Sequence, residues 1–168
     1  MKGRDPFAAA KGALAFTPRQ IERARETLRT PLYDGDVRLS LLKWAEACLQ
    51  SPESLRIELW RASVEHVLPL RPEPGSQWLT NFPDEDERFL ACHSIGNLAI
   101  MDFPENEMIS NRDFKFKLET IRAQAGKYRT LTDIADKTSW TYEEIHFRAE
   151  RMIEIVCTNL NIAPSPQS

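Results

Sequence analysis

The chain has no surplus of positive charge. Its 22 Lys and Arg face 25 Asp and Glu, a net charge of −3. No global basic field therefore draws it onto nucleic acid, and any such contact has to come from a local patch. It has no long hydrophobic run, which excludes a membrane-spanning helix. Its start, M-K-G-R-D-P-F-A-A-A, lacks the apolar core of a secretion signal. Cysteine is scarce: Cys48, Cys92 and Cys157 are odd in number, far apart and set among apolar neighbours. They read as reduced core residues of a cytosolic protein. No C-x-x-C pair occurs, so no zinc is expected. No internal repeat is visible.

What remains is ordinary globular material, 42% apolar and 28% charged over 168 residues, enough for one core. Residues 1–16 read as a flexible lead-in or linker, 17–160 as a single folded domain and 161–168 as a disordered tail. Thr17 as N-cap with Pro18 at the first helical position opens a helix that stops at Thr30-Pro31. A second helix runs from about Asp36 to Leu49, with Val37, Leu41, Trp44, Ala45 and Cys48 on one face. Leu55, Ile57 and Leu59 alternate with charged residues, and Val64 to Leu68 reads as a strand. R-P-E-P-G-S is a loop, and D-E-D-E-R-F-L-A-C a short helix whose acids suit its N-terminus. Ile95 to Met101 is a second strand. D-F-P-E-N-E-M-I-S-N is too polar and broken to be regular. A helix starts at Asn111, with Phe114, Leu118, Ile121 and Ala125 on one face. The last helix starts at Thr141, with Glu144 completing a capping box. The fold class expected is α+β, mostly helical.

One stretch conflicts with a purely structural reading. In V-E-H-V-L-P-L, Glu65 and His66 sit side by side inside an apolar run, where a charge has to be paired, bound to metal or used. Strand, long loop, strand, polar loop and helix can bring these two groups close to Asn97, at the second strand, and to Asn106, in the polar loop. An imidazole, a carboxylate and an amide oxygen suit a general base beside a hard divalent ion, Mg2+ or Mn2+. That combination describes phosphodiester hydrolysis.

The ordered set V-E-H-V-L-P, H-S-I-G-N-L-A-I and P-E-N-E-M-I-S-N-R-D-F-K-F-K resembles the HNH branch of the His-Me finger (ββα-metal) nucleases. More narrowly, it resembles the C-terminal nuclease domain of GmrSD- and SspE-type modification-dependent restriction enzymes. S-W-T-Y-E-E-I-H-F-R-A-E-R-M resembles that domain's closing helix. The resemblance implies a ββα finger, a two-stranded antiparallel hairpin plus helix at about 60–125, embedded between a helical part at 17–52 and C-terminal helices at 129–160. It implies His66 as the residue that activates water, Glu65 and Asn106 as metal ligands, and Asn97 as the residue that fastens the loop aiming His66. Asn111 competes with Asn106 for the ligand role, His93 is a further site residue without an assigned role, and Lys117 is a phosphate contact. Asp102 is the first extra ligand to test if the metal site is larger.

The long His66-to-Asn97 separation departs from a minimal finger and implies an inserted helix. The sensor or nucleotide-binding domain that accompanies this nuclease is expected on another part of the system. Residues 112–129 carry six basic residues, including Arg112, Lys115 and Lys117, against two acidic ones, a strip suited to phosphates. No interleaving of aromatic and basic residues suggests base stacking, so contacts mainly to the DNA backbone are expected. The expectation is a cytoplasmic DNA endonuclease, the effector of a restriction or phage-defence system, with a homodimer as one route to a double-strand cut. The alternative is a non-catalytic DNA-binding or partner-docking module that keeps the finger's skeleton.

Overall fold

The computed structural model describes residues 15–50 and 59–160. The expected tail, most of the expected lead-in, and Leu55 and Ile57 of the alternating segment lie outside them. Helix α1 (Pro18–Leu28) begins with the expected Thr17 cap, closed by Gln20 into a reciprocal box. Helix α2 (Gly35–Leu49) starts on the Asp34 carboxylate, which accepts from Val37 N–H. A 3₁₀ turn (Leu59–Arg61) leads into strand β1 (Ala62–His66). Two helices, α3 (Gln77–Asn81) and α4 (Glu85–Cys92), fill the separation between the motif halves. A 3₁₀ turn (Ile95–Asn97) runs into strand β2 (Leu98–Asp102), and helices α5 (Phe103–Ile109) and α6 (Phe114–Ala125) follow. A 3₁₀ turn (Arg129–Leu131), the short α7 (Thr132–Ala135) and the long α8 (Tyr142–Thr158) complete the order. The fold is thus α+β and mostly helical, around one two-stranded antiparallel sheet.

The strands pair Ala62 with Asp102 and His66 with Leu98 at the two ends of the ladder. Several expected boundaries shift. The first strand ends at His66 rather than Leu68, because Asn97 takes Leu68 N–H and O in place of a ladder partner. The helix expected from Asn111 begins at Phe114, after the Asp113 cap. Ile95 to Asn97 is not strand but a 3₁₀ turn, because Ser94 Oγ accepts from Gly96 N–H and winds the chain before it extends. The segment after Asp102, expected to be irregular, is helix α5. Pro104 in its first turn favours a helical start. Its only buried residue is Ile109, so it has no apolar stripe to betray it. Ser110 ends it with φ 40°, a conformation uncommon for a residue with a Cβ.

The core holds Trp78, Trp140, Tyr128 and Phe82 with the aliphatic residues of β2. Helix α8 buries Ile145, Ala149, Met152, Ile153 and Val156. It lies so close to the 3₁₀ turn that a Cβ on Gly96 would fall 1.9 Å from Ile145 O. Two buried charges tie distant segments together. Glu46 of α2 accepts from Arg129 N–H at 2.6 Å and Thr130 N–H at 2.8 Å. Arg148 of α8, 3% exposed, donates to the carbonyls of Ile95, Gly96, Leu98 and Thr130 and pairs with Asp133. These contacts satisfy backbone groups that no sheet partner reaches. Among the described residues, no helix is long and apolar enough to cross a membrane.

Candidate active site

His66 closes β1 and Glu65 precedes it. Side chains alternate along a strand, so the two leave opposite faces. Glu65, 2% exposed, meets α6, where Lys117 Nζ lies 2.7 Å from its Oε1 and 2.8 Å from the His66 carbonyl. Burial raises the Glu65 pKa and lowers that of Lys117, while their mutual pairing opposes both shifts. His66 faces α2 and the end of α4. Its Nε2 lies 3.5 Å from Arg38 Nη1, which also approaches His93 Nδ1 at 3.1 Å. A guanidinium has only donors, so the 3.1 Å contact is favourable when His93 Nδ1 carries the lone pair. The 3.5 Å contact to His66 Nε2 is at the limit of a hydrogen bond. Burial first, then Arg38, His93 and Lys117, holds the His66 pKa down to about 3.

Asn97 is fully buried, and its carboxamide is saturated. Oδ1 accepts from Leu68 N–H at 2.8 Å and Trp140 Nε1–H at 3.0 Å, while Nδ2 donates to Leu68 O and Cys92 O. It clamps the segment just after His66 onto the turn before β2. Asn106 sits on α5, and its Nδ2 donates to Ser63 Oγ and Val64 O, both at 2.9 Å. Among the described residues no hydrogen bond engages its Oδ1.

A pocket of about 370 Å³ is lined by Glu65, His66, Asn106, Glu107, Ser110 and Asn111, among others. Four residues singled out from the sequence, Glu65, His66, Asn106 and Asn111, thus converge on one cavity. Asn97 and His93 stand behind it as supports. Two expectations need correction. Lys117 cannot meet a phosphate where it stands: it is 0% exposed and bound to Glu65. Of the basic strip, Arg112 and Lys115 are on the surface. Asp102 is at the far end of the ladder from His66 and binds Lys127 and Tyr128, which removes it from this site.

The described residues contain no group of three His, Cys, Asp or Glu placed to hold a metal ion. The oxygen donors among the lining residues include the Asn106 and Asn111 amides, the Glu107 carboxylate and Glu65, which is itself 2% exposed and held by Lys117. Oxygen donors suit a hard ion that keeps several waters, and Glu65 joins them only by loosening its hold on Lys117. Lys117 takes one Glu65 oxygen and offsets its charge.

Sequence reasoning missed Arg38. One arginine on an amphipathic helix carries no signal of its own, and only the packing of α2 against the strand end reveals it. No curated protein and no solved structure matches the chain. The model of the family described as GmrSD restriction endonucleases, C-terminal domain, matches residues 17–155, nearly all of the α1-to-α8 span just described. With the paired strands, the clamped turn and the closing helix in that order, the chain belongs to the GmrSD restriction endonuclease C-terminal domain family.

Proposed function

We propose that this chain is a metal-dependent DNA endonuclease of HNH type, with His66 as general base. The observation that carries the reading is the convergence of Glu65, His66, Asn106 and Asn111 on one pocket, immediately before a backbone segment clamped by Asn97. His66 Nε2 exchanges its long 3.5 Å contact with Arg38 for the attacking water and takes a proton from it as the water oxygen bonds to phosphorus. The bond from phosphorus to the 3′ oxygen breaks, and that oxygen leaves with a proton from solvent. Before substrate arrives, burial and nearby cations keep the imidazole neutral; a phosphodiester anion brought alongside opposes those cations and strengthens the base.

Glu65 and Asn106 would hold one Mg2+ or Mn2+, with Asn111 beside them. When bound, that ion neutralises charge on the phosphoryl and departing oxygens. Asn97 holds the loop, and Arg112 and Lys115 take flanking phosphates. The family's description supports a role in restriction; that the chain is the effector of a modification-dependent system, with sensing in another domain or chain, is part of the proposal.

Supercoiled plasmid tests the reading. Conversion to open circles with Mg2+ or Mn2+, its loss in chelator, and a fall of at least about 100-fold in His66→Ala are expected. Full cutting by His66→Ala would remove the base from the mechanism. The Lys117–Glu65 pair gives one specific ground for the second reading, a finger that binds DNA without metal; retention of DNA with no cleavage under any divalent ion would establish it.

A further inference from the structure

His66 has neighbours that neither the hydrolytic chemistry nor the core accounts for. Tyr33, between α1 and α2, and Phe89, on α4, are far apart in sequence. Their rings are stacked, with centroids 5.8 Å apart. Both are about half exposed, at 55% and 51%, so the pair is on the surface rather than in the core. Both rings pack edge-on against His93, at 4.9 and 4.8 Å, and His93 lies 6.0 Å from the His66 ring. Leu32 N–H donates to His93 O at 2.8 Å, which fixes the segment carrying Tyr33 against the end of α4.

Arg38 borders the same cluster. Its Nη1 is shared among Leu32 O, His93 Nδ1 and His66 Nε2. Its Nε is buried, while among the described residues no hydrogen bond engages its Nη2, the fork's nitrogen left for an incoming group. A permanently charged fork with a spare donor, next to two neutral imidazoles, suits a phosphate oxygen. An exposed, rigid aromatic pair suits the face of a base, because every nucleobase has one.

We propose that Tyr33, Phe89, His93 and Arg38 form a nucleotide platform beside His66. It holds one unpaired DNA nucleotide, its base on the aromatic faces and its phosphate on the guanidinium. The inference rests on the nuclease reading for its outcome, since the platform presents that nucleotide's linkage to His66, and it names the substrate class: DNA with an unstacked base at the cut. A paired base keeps its faces within the duplex and cannot use the platform. Backbone contacts alone, the expectation from the sequence, would leave the aromatic pair without a task.

The test uses the full chain carrying His66→Ala, so that no probe is cut. The probes are a 12-nucleotide DNA strand with one 2-aminopurine and the same strand fully paired. The expected result is preference for the single strand, with quenched 2-aminopurine fluorescence. Adding Tyr33→Leu and Phe89→Leu should weaken single-strand binding about five- to 100-fold and leave duplex binding and the melting temperature near the parent's. Phe89→Tyr should retain binding. Arg38→Ala should weaken it, and Arg38→Lys should recover part of the loss.

Parent-like single-strand binding by the double leucine variant would overturn the inference. So would an equal fall on both probes, absence of any oligonucleotide binding, or a change in oligomeric mass with unchanged binding, which would make the face a protein interface. The plasmid assay keeps the two readings apart. Parent-like nicking by the leucine variants sinks the platform alone. Platform-dependent binding by a chain that never nicks sinks the nuclease alone.

Discussion

The Lys117 ammonium lies 2.7 Å from Glu65 Oε1, and both side chains are sealed from solvent. The same ammonium donates to the His66 carbonyl. One lysine on α6 thus fixes both residues of the E-H pair, the first by charge and the second through its backbone. Buried pairs of this kind are costly to break, since the survivor is left as an unpaired buried charge.

Lys117→Met should therefore destabilise the fold by about 3–5 kcal/mol. In a chain of this size that lowers the melting temperature by roughly 6–20 °C. Adding Glu65→Gln should recover a large part of the loss, because the stranded charge is gone. Thermal melts of the two single variants and the double variant measure this directly. Additive losses would mean that the pair does not act as a unit.

Acid should destabilise the protein through His66. Its pKa is about 3 when folded, from burial and then its cationic neighbours, against about 6.5 in the unfolded chain. Between those values the unfolded state binds the extra proton, so stability rises with pH. The contribution is present in full above pH 6.5 and fades as pH falls toward 3. From pH 7 to pH 5 the loss amounts to about 2 kcal/mol. His93, also lowered by burial, acts in the same direction. Melts in metal-free buffer at the two pH values should show the drop, and His66→Gln should remove most of it.

Asn97→Asp keeps the shape and removes the donors. A carboxylate would then face the carbonyls of Leu68 and Cys92, which Nδ2 now serves at 2.9 and 3.1 Å. A loss of about 2–4 kcal/mol is expected from two unpaired acceptors and a buried charge. Nicking should fall in parallel, even at temperatures where circular dichroism reports a folded chain. Wild-type nicking by that folded variant would show that the clamp does not aim His66.

Gly96→Ala tests the close approach of α8. Its φ is ordinary, so the demand is for space: the new methyl meets Ile145 O and Ala149 N. Backbone atoms cannot rotate away, and α8 has to move. The cost should reach or exceed the roughly 1–3 kcal/mol of ordinary overpacking, seen as a lower urea midpoint with the slope unchanged.

What could be read from the sequence follows the physics of each signal. Capped helices are plain, because Thr17-Pro18 and Thr141 announce their own starts. The box expected at Thr141 nevertheless closes only from one side: its hydroxyl accepts from Glu144 N–H, while the Glu144 carboxylate pairs with Lys137. The strand end carrying His66 was plain because two polar groups interrupt an apolar run. Helix α5 was hidden, since a short helix that buries only Ile109 has no periodicity to read. The site was legible where its residues are close in sequence or ordered as a motif. It was illegible where packing supplies a residue from elsewhere. Lys117 looked like one more member of a basic strip, and only its burial against Glu65 changes its role. Arg38, Glu46 and Arg148 act through contacts whose partners lie dozens of positions away, and no local pattern encodes such pairings.

The bonds from Glu46 to residues 129 and 130 and from Arg148 to the turn before β2 bear on how this domain can be recombined. Transplanting residues 62–125 into a foreign host would carry the hairpin and α6 but leave behind the guanidinium beside His66, the indole on Asn97 and the anchors at both ends. The unit that keeps these contacts is therefore the entire span from α1 to α8, and fusions to other domains should succeed only at junctions outside it.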